Sequence, residues 1–513
     1  MALDTTKFYN IINNERTTTP ETRHSTNPTT GHPNPPVPVS SQTDLDTAVL
    51  AAQSAFPAWS RTPLSTRRTL LATYATLLET HKSALIALLT QEQGKPLSQA
   101  QIEVEMAITW TRQIPTLDLP VQTIEDTPDR QIIQRYVPIG VCGAIVPWNF
   151  PVLLAVGKIV PALVTGNVVI VKPSPYTPYC ALKLGELAAQ IFPPGVVQVL
   201  SGGEELGPWM TAHPGIQKIS FTGSSATGRK VMEGCARGLK RVTLELGGND
   251  AAIVCEDVDV DAVVQKTLDL GCGLWVCELW SADGVGRMHI LVPWQLLTDD
   301  PQQIGIIAFL CSSQICMTIK RLYVHEKIYD QFRDKLVQFV RALKVGDGTL
   351  PDTFFGPVQN RMQFDKATDL LAATQAAGLQ TIAAGEVPAD LGKGYFIPPT
   401  IVDNPPEASR VVQEEPFAPI LPLLKWSDEA DVVARANASD YALSASVWSR
   451  DLGRARRIVD QLQAGSVWVN SHFDVAPHVP FGGHKASGMG TEWGVHGLVG
   501  WCNSQTLWLK SQL

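Results

Sequence analysis

The sequence predicts an α/β fold built on parallel sheets, and three observations carry that prediction. Short β-branched runs alternate with stretches of helical period from Asn167 onward, and a second alternation starts at Leu322. The longest apolar tract, 139 to 171, is broken by Pro147, Pro151, Lys158, Pro161 and Gly166, as suits a folded core and not a membrane span. With 513 residues the chain exceeds one ordinary core, so two or three domains are expected.

Composition narrows the function classes. Lys and Arg number 41 against 49 Asp and Glu, a net charge of −8, and no basic run is long enough to follow a phosphate backbone. Small molecules are therefore expected as partners, not nucleic acid or a membrane. The nine Cys are scattered, with no C-x-x-C pair and no zinc spacing, which points to reduced thiols and no metal. The polar opening MALDTTKFYN lacks a secretory pattern, so a cytoplasmic protein is expected.

The elements follow in order. Residues 17 to 41, rich in Thr, Pro and Asn, read as an extended leading segment, and a helix starts near Thr43 with Leu45, Val49 and Ala52 on one face. A longer helical region runs from Ser65, with Leu70, Tyr74, Leu77 and Leu78 recurring, and stops by Gly94 and Pro96. Strands are then predicted at 168 to 171, 196 to 200, 218 to 221 and 242 to 244, separated by helices, one of which opens after Gly223. Such a parallel sheet binds dinucleotides at its carboxyl ends, here near Lys172, Gly202 and Gly223. A strand at 322 to 325 precedes a helix that turns Tyr329, Phe332, Leu336 and Phe339 inward. Further signals to Val469 indicate a second α/β domain, whereas 267 to 301 has no clear period.

Seven strings then occur in sequence: PWNFP at 147 to 151, VKPS at 171 to 174, FTGSSATG at 221 to 228, LELGGND at 244 to 250, SSQICMTIKRLYVHE at 312 to 326, EEPFAP at 414 to 419 and PFGGHKASGMG at 480 to 490. Together they resemble the aldehyde dehydrogenase superfamily, and filamentous-fungal members in overall flavour. The resemblance covers nearly the whole chain outside 267 to 301. It implies a Rossmann-type dinucleotide domain, an α/β catalytic domain and a small oligomerisation element, hence an enzyme oxidising an aldehyde with NAD or NADP, NAD being favoured.

The chemistry that the resemblance implies can be argued from the residues. A planar carbonyl has no electron pair with which to expel hydride, so a nucleophile must first make the carbon tetrahedral, and a thiolate leaves a thioester that water can cleave. Cys316 in SSQICM is the expected nucleophile, although a Cys taken alone is most often a buried structural thiol. Asn149 matches the family's oxyanion donor, acting with the Cys316 backbone N–H. Glu245, at the end of an apolar strand before Gly247 and Gly248, is the expected base for water. For the cofactor, the resemblance assigns Trp148, Lys172 and Ser174. It adds Gly223 and Ser224 at a helix start, Glu415 for the nicotinamide ribose, and Phe417 beside it.

Several positions depart from the family pattern. An acidic residue often stands three positions after the lysine, where it holds the adenosine ribose; here it is Pro175, so nothing repels a 2′-phosphate. Cys311 and Ser313 replace the usual Asn and Gly before the nucleophile, and Ala418 replaces a Gly. Glu245 and Cys316 stand 71 positions apart, about twice the family's usual spacing. Joining Lys266 to Gln302 would restore a continuous helical run, so 267 to 301 reads as an insertion with the composition of a retained intron.

The expected domains are 1-118 with 139-247 for the dinucleotide, 248-467 for the catalytic thiol, and 119-138 with 468-513 for assembly into a homodimer or homotetramer. The competing expectation is a non-catalytic nucleotide-binding or structural oligomer of the same fold, disabled by the insertion.

Overall fold

The computed structural model describes residues 3–264 and 304–511, so the predicted insertion at 267 to 301 lies outside the described residues. Near the amino end, Ser41 starts the helix Gln42–Arg61: its hydroxyl accepts from the Asp44 N–H while the Asp44 carboxylate accepts from the Ser41 N–H. Leu45, Ala48, Val49 and Ala52 form its buried face. The next helical region is two helices, Leu64–Thr80 and Lys82–Gln93, divided at His81. The inward face of the first is Leu71, Tyr74, Ala75 and Leu78, leaving Leu70 and Leu77 on its flanks, because a 3.6-residue period centres the stripe between them. Gly94, with φ of +90°, ends the second helix in the left-handed region.

Two large sheets follow. In the first, the parallel strands lie in the order Val197–Val199, Val168–Lys172, Val141–Ile145, Lys218–Thr222 and Arg241–Glu245. Asn10–Ile12 and Glu15–Thr17 extend this sheet antiparallel beyond Val197–Val199; among the parallel strands the chain starts in the middle one, builds outward on one side, then crosses to the other. This reversal opens a crevice beyond the carboxyl ends of Val141–Ile145 and Lys218–Thr222. Gly488 and Met489 return from the far end of the chain to pair antiparallel with Glu245 and Leu244.

The second sheet runs Thr381–Ala383, Thr400–Asp403, Ile420–Trp426, Ile319–His325, Asp250–Val254, Ser444–Trp448 and Ser466–Val469, parallel except for its first strand. Its central strands are buried along their length, as expected for β-branched runs covered on both faces. A separate three-stranded sheet joins Gln122–Asp126, Arg130–Pro138 and Cys502–Lys510. Among the described residues no helix is long and apolar enough to cross a membrane. An α/β fold with two parallel sheets is thus the architecture that the sequence predicts.

Candidate active site

The site forms where a turn after the first sheet's middle strand meets the turn that carries Cys316. Strand Val141–Ile145 ends, PWNFP turns the chain, and Pro151 starts the helix Pro151–Val164 at a position where its missing N–H costs nothing. The turn is held from beneath. Lys95 Nζ donates to the Asn149 carbonyl at 2.9 Å and lies 3.6 Å from the centre of the Phe150 ring. Lys95 also pairs with Glu103, both side chains being fully buried. Glu103 in turn accepts from the Val152 and Leu153 N–H groups at 2.8 and 3.2 Å, closing the helix start with a negative charge. The Asn149 amide donates one N–H to the Gln314 carbonyl at 3.0 Å. An amide has two such hydrogens, so a second donor remains for an oxyanion.

Cys316 follows the helix Ile304–Phe309 and a turn in which Cys311, Ser312 and Ser313 all have positive φ, 51°, 53° and 59°. Three consecutive left-handed residues without a glycine are strained, so side-chain bonds must hold them. Gln99 accepts from the Cys311 N–H at 2.9 Å, Ser312 donates to the Gly356 carbonyl at 2.7 Å and Ser313 to the Ala308 carbonyl at 2.7 Å. Gln314 donates to the Cys311 and Pro357 carbonyls and accepts from the Gln359 N–H. Behind the thiol, His472 bridges Ser446 Oγ and the Met317 carbonyl at 2.8 and 2.9 Å, and burial lowers its ring to about 4, leaving it neutral.

The double glycine of LELGGND brings the site together. A Cβ at Gly248 would stand 2.3 Å from the Cys316 carbonyl oxygen, and one at Gly247 would stand 2.4 Å from Glu415 Oε2. Only hydrogen at both positions lets the thiol turn, Glu415 and the Glu245 strand converge. The Gly248 N–H also donates to Glu415 Oε1 at 3.2 Å.

Glu245 is 5% exposed, and among the described residues neither of its carboxylate oxygens has a hydrogen-bond partner. Burial pushes its carboxyl well above the usual range, Glu492 adds to the rise, and Lys158 opposes it. Lys158 donates to Ser220 Oγ at 2.8 Å and Glu492 Oε1 at 3.0 Å, and Ser220 donates to the same Glu492 oxygen at 2.5 Å. Lys158 and Glu492 line one cleft of about 630 Å³, its open mouth included, together with Asn149, Thr222, Glu245 and Cys316. The rest of its wall is apolar, chiefly Met106, Phe150, Leu153, Phe473, Phe481 and Trp493. Burial raises the Cys316 thiol to about 12.

The expected cofactor residues lie along the adjoining strand ends. Lys172 closes its strand, buried, with one long bond from Nζ to the Pro173 carbonyl at 3.3 Å, and burial lowers it to about 8. Among the described residues, a Cβ at Gly203 would meet nothing within 4 Å, and one at Gly207 would meet only Lys172 Cε, at 3.9 Å. A buried ammonium with spare donors beside open space fits ribose hydroxyls. Ser224 caps the helix Ser225–Ala236 by accepting from the Thr227 N–H, so Gly223 and Ser224 sit at an N-terminus suited to a phosphate. Ser174 accepts from the Tyr176 N–H and shapes the turn. Trp148 meets the Phe417 ring edge to face, centroids 5.3 Å apart, which links the Asn149 turn to the Glu415 loop. The donor set therefore fits a dinucleotide.

Cys316, Asn149 and Glu245 line one cavity, and Trp148, Phe417 and Glu415 lie together beside it. The motifs did not single out Lys158, Glu492, Lys95, Glu103 or His472. Glu103 carried a signal, a charge at helical spacing between Ala100, Val104 and Ala107.

Comparison with known proteins follows the same lines. A model of the aldehyde dehydrogenase family matches residues 15–273 and 301–507, leaving out 274–300. An aldehyde dehydrogenase of a Fusarium species is 39% identical over 507 residues, 99% of this chain and 100% of the relative. Retinaldehyde dehydrogenase 3 of Homo sapiens is 36% identical over 476 residues, 91% of this chain and 85% of that one. Among solved structures, betaine aldehyde dehydrogenase from Staphylococcus aureus in complex with NAD+ superposes with a TM-score of 0.87 at 28% identity, covering 98% of this chain and 94% of that one. An NADP dependent enzyme of E. coli does so with a TM-score of 0.88 at 32% identity, covering 99% and 98%.

Proposed function

This chain belongs to the aldehyde dehydrogenase family, NAD(P)-dependent enzymes that oxidise an aldehyde to a carboxylic acid, and we propose that Cys316, Asn149 and Glu245 carry that reaction here. The observation that carries the reading is their convergence on a single apolar cleft.

The Cys316 thiolate attacks the carbonyl carbon; a C–S bond forms and the carbonyl π pair becomes an alkoxide. The spare Asn149 N–H and the Cys316 backbone N–H stabilise that alkoxide without adding a charge that would hold back hydride. When bound, the nicotinamide supplies the hydride acceptor. Collapse of the alkoxide restores the carbonyl, releases the hydride and leaves a thioester on Cys316. Glu245, with no protein partner and a raised carboxyl, takes a proton from water as the oxygen adds to the thioester. The C–S bond breaks, the thiolate returns, and the acid leaves. Lys158, Ser220 and Glu492 form a hydrogen-bonded cluster near Glu245, and the charges of Glu492 and Lys158 act on its carboxyl through space.

Lys172, Ser174, Gly223 and Ser224 would hold the adenosine side of the dinucleotide, and Trp148, Glu415 and Phe417 its nicotinamide ribose. The cofactor is NAD or NADP, and the absence of a carboxylate at Pro175 supports NAD with NADP tolerated. The chiefly apolar wall supports an aldehyde with an uncharged, hydrocarbon-like body, since a charged group would lose hydration against it. Assembly into a homodimer or homotetramer is supported by the three-stranded sheet, whose edge strand Cys502–Lys510 exposes Trp508 and Leu509.

The test is cofactor reduction, with NAD and with NADP, over uncharged aliphatic and aromatic aldehydes and quaternary-ammonium aldehydes. Turnover of uncharged aldehydes at higher kcat/KM than the cationic ones is expected. Preference for the cationic set would overturn the substrate reading, and no turnover of either set would overturn the enzymatic one.

A further inference from the structure

Lys320 is a buried ammonium that the reaction above does not use. It is the second residue of strand Ile319–His325, four after Cys316, and its side chain is 1% exposed. Nζ donates at 2.5 Å to the Ile315 carbonyl, whose peptide nitrogen belongs to Cys316. It also stands 3.6 Å from Glu415 Oε1 and 5.1 Å from the centre of the Phe417 ring. One short strand thus holds a cation between the nucleophile turn and the carboxylate proposed for the ribose.

The charges around it set up a competition. Glu415 faces Lys320 from the loop after the helix Arg410–Gln413, and Lys366 of the helix Arg361–Ala376 donates to the Glu415 carbonyl at 3.3 Å. Asp250 stands opposite, on the neighbouring strand in register with Ile319, held by the Ser444 hydroxyl and N–H and raised to about 7 by burial. Glu245 faces the thiol from the other sheet, backed by Lys158 and Glu492, and neutral His472 lies behind Met317. Among the described residues, burial raises the Cys316 thiol most, Lys320 lowers it, and Glu415, Asp250 and Glu245 raise it further. Of the three ammonium hydrogens, one is spent on Ile315 and one points toward Glu415.

We propose that Lys320 is a positioning residue that holds the Cys316 turn and supplies the positive charge the thiolate needs, and that Glu415 limits that charge by competing for the same ammonium. The inference rests on Cys316 being the nucleophile. When Glu415 turns to ribose hydroxyls, more of the Lys320 charge is left for the sulfur, so cofactor binding and thiol activation are coupled through this one side chain.

The test uses the full-length protein without cofactor. Iodoacetamide alkylation of Cys316, in which the thiolate displaces iodide, is followed by peptide mass spectrometry from pH 6 to 10. K320M should slow alkylation about tenfold at every pH in this range, its profile moving upward by about one pH unit, since only the thiolate reacts. K320R should keep a profile near the original, and E415Q should move it downward and speed the reaction. K320M superimposing on the original, or E415Q slowing alkylation, would overturn the proposal. If K320M does not fold, as read by its thermal melt, the direction of the E415Q shift decides alone. An original protein in which Cys316 reacts no faster than its other thiols would instead overturn the assignment of the nucleophile.

Discussion

At the residue scale, the reaction needs Glu245 both buried and unpartnered, and each property has a measurable cost. Its carboxyl lies well above the ordinary 4.5, so ionising it is harder in the folded state than in the unfolded chain. Below 4.5 the unfolded chain is protonated as well and nothing is lost; as pH rises above it, the unfolded state gains by ionising and stability falls. Glu245→Gln should therefore raise the melting temperature at pH 8 and have little effect near pH 4, and a gain larger in acid would contradict this. The same variant should give one burst of reduced cofactor followed by a steady state slower by about a hundredfold. Burst and steady state falling equally would remove Glu245 from deacylation. At Pro175, Glu should add a charged hydrogen bond with NAD and repulsion with NADP, shifting the ratio of kcat/KM values about tenfold toward NAD. An unchanged ratio would show that position 175 does not read the ribose. The residues legible in the sequence were those inside contiguous motifs, such as Asn149 in PWNFP. Lys158 and Glu492 were not, because they meet across 334 positions and only the folded chain brings them together.

At the scale of elements, the alternation of strand and helix was readable because buried parallel strands are short β-branched runs. The division at His81 was not, since both helices keep an apolar stripe and no glycine or proline marks the join. The turn before Cys316 gave a partial signal: the departures at Cys311 and Ser313 fall on residues of positive φ, where Asn and Gly carry the least strain. What holds the turn, Gln99 and Gly356, comes from distant segments that no local pattern reveals. Upstream, helices Val260–Val264 and Ile304–Phe309 flank the stretch that the sequence reads as an insertion. Loop length alone costs little stability, but a displacement of about 1 Å at a reacting thiol can cost on the order of a hundredfold in rate. Deleting 267 to 301 should therefore preserve or raise kcat, and peptides from that stretch should be missing from the natural protein. Finding them in an active natural enzyme that loses activity on deletion would contradict the insertion reading.

At the scale of the whole molecule, the site exists because the chain returns on itself. Strand Gly488–Met489 pairs with Leu244 and Glu245, carrying Glu492 and Trp493 into the cleft, a connection between distant segments that motif order alone did not reveal. The sheet of Gln122–Asp126, Arg130–Pro138 and Cys502–Lys510 ends in an open edge with Trp508 63% exposed, a surface that association would cover. Trp508→Glu should lower the mass measured by light scattering toward that of one chain, and an unchanged assembly would exclude this edge. The central claim, that oxidation runs through a thioester on Cys316, is tested most directly by intact-mass and peptide analysis of the Glu245→Gln protein mixed with cofactor and a turned-over aldehyde. One adduct is expected, on Cys316, with the mass of the aldehyde less two hydrogens. An adduct on another residue, or a Cys316→Ala protein that still reduces cofactor at a comparable rate, would contradict it.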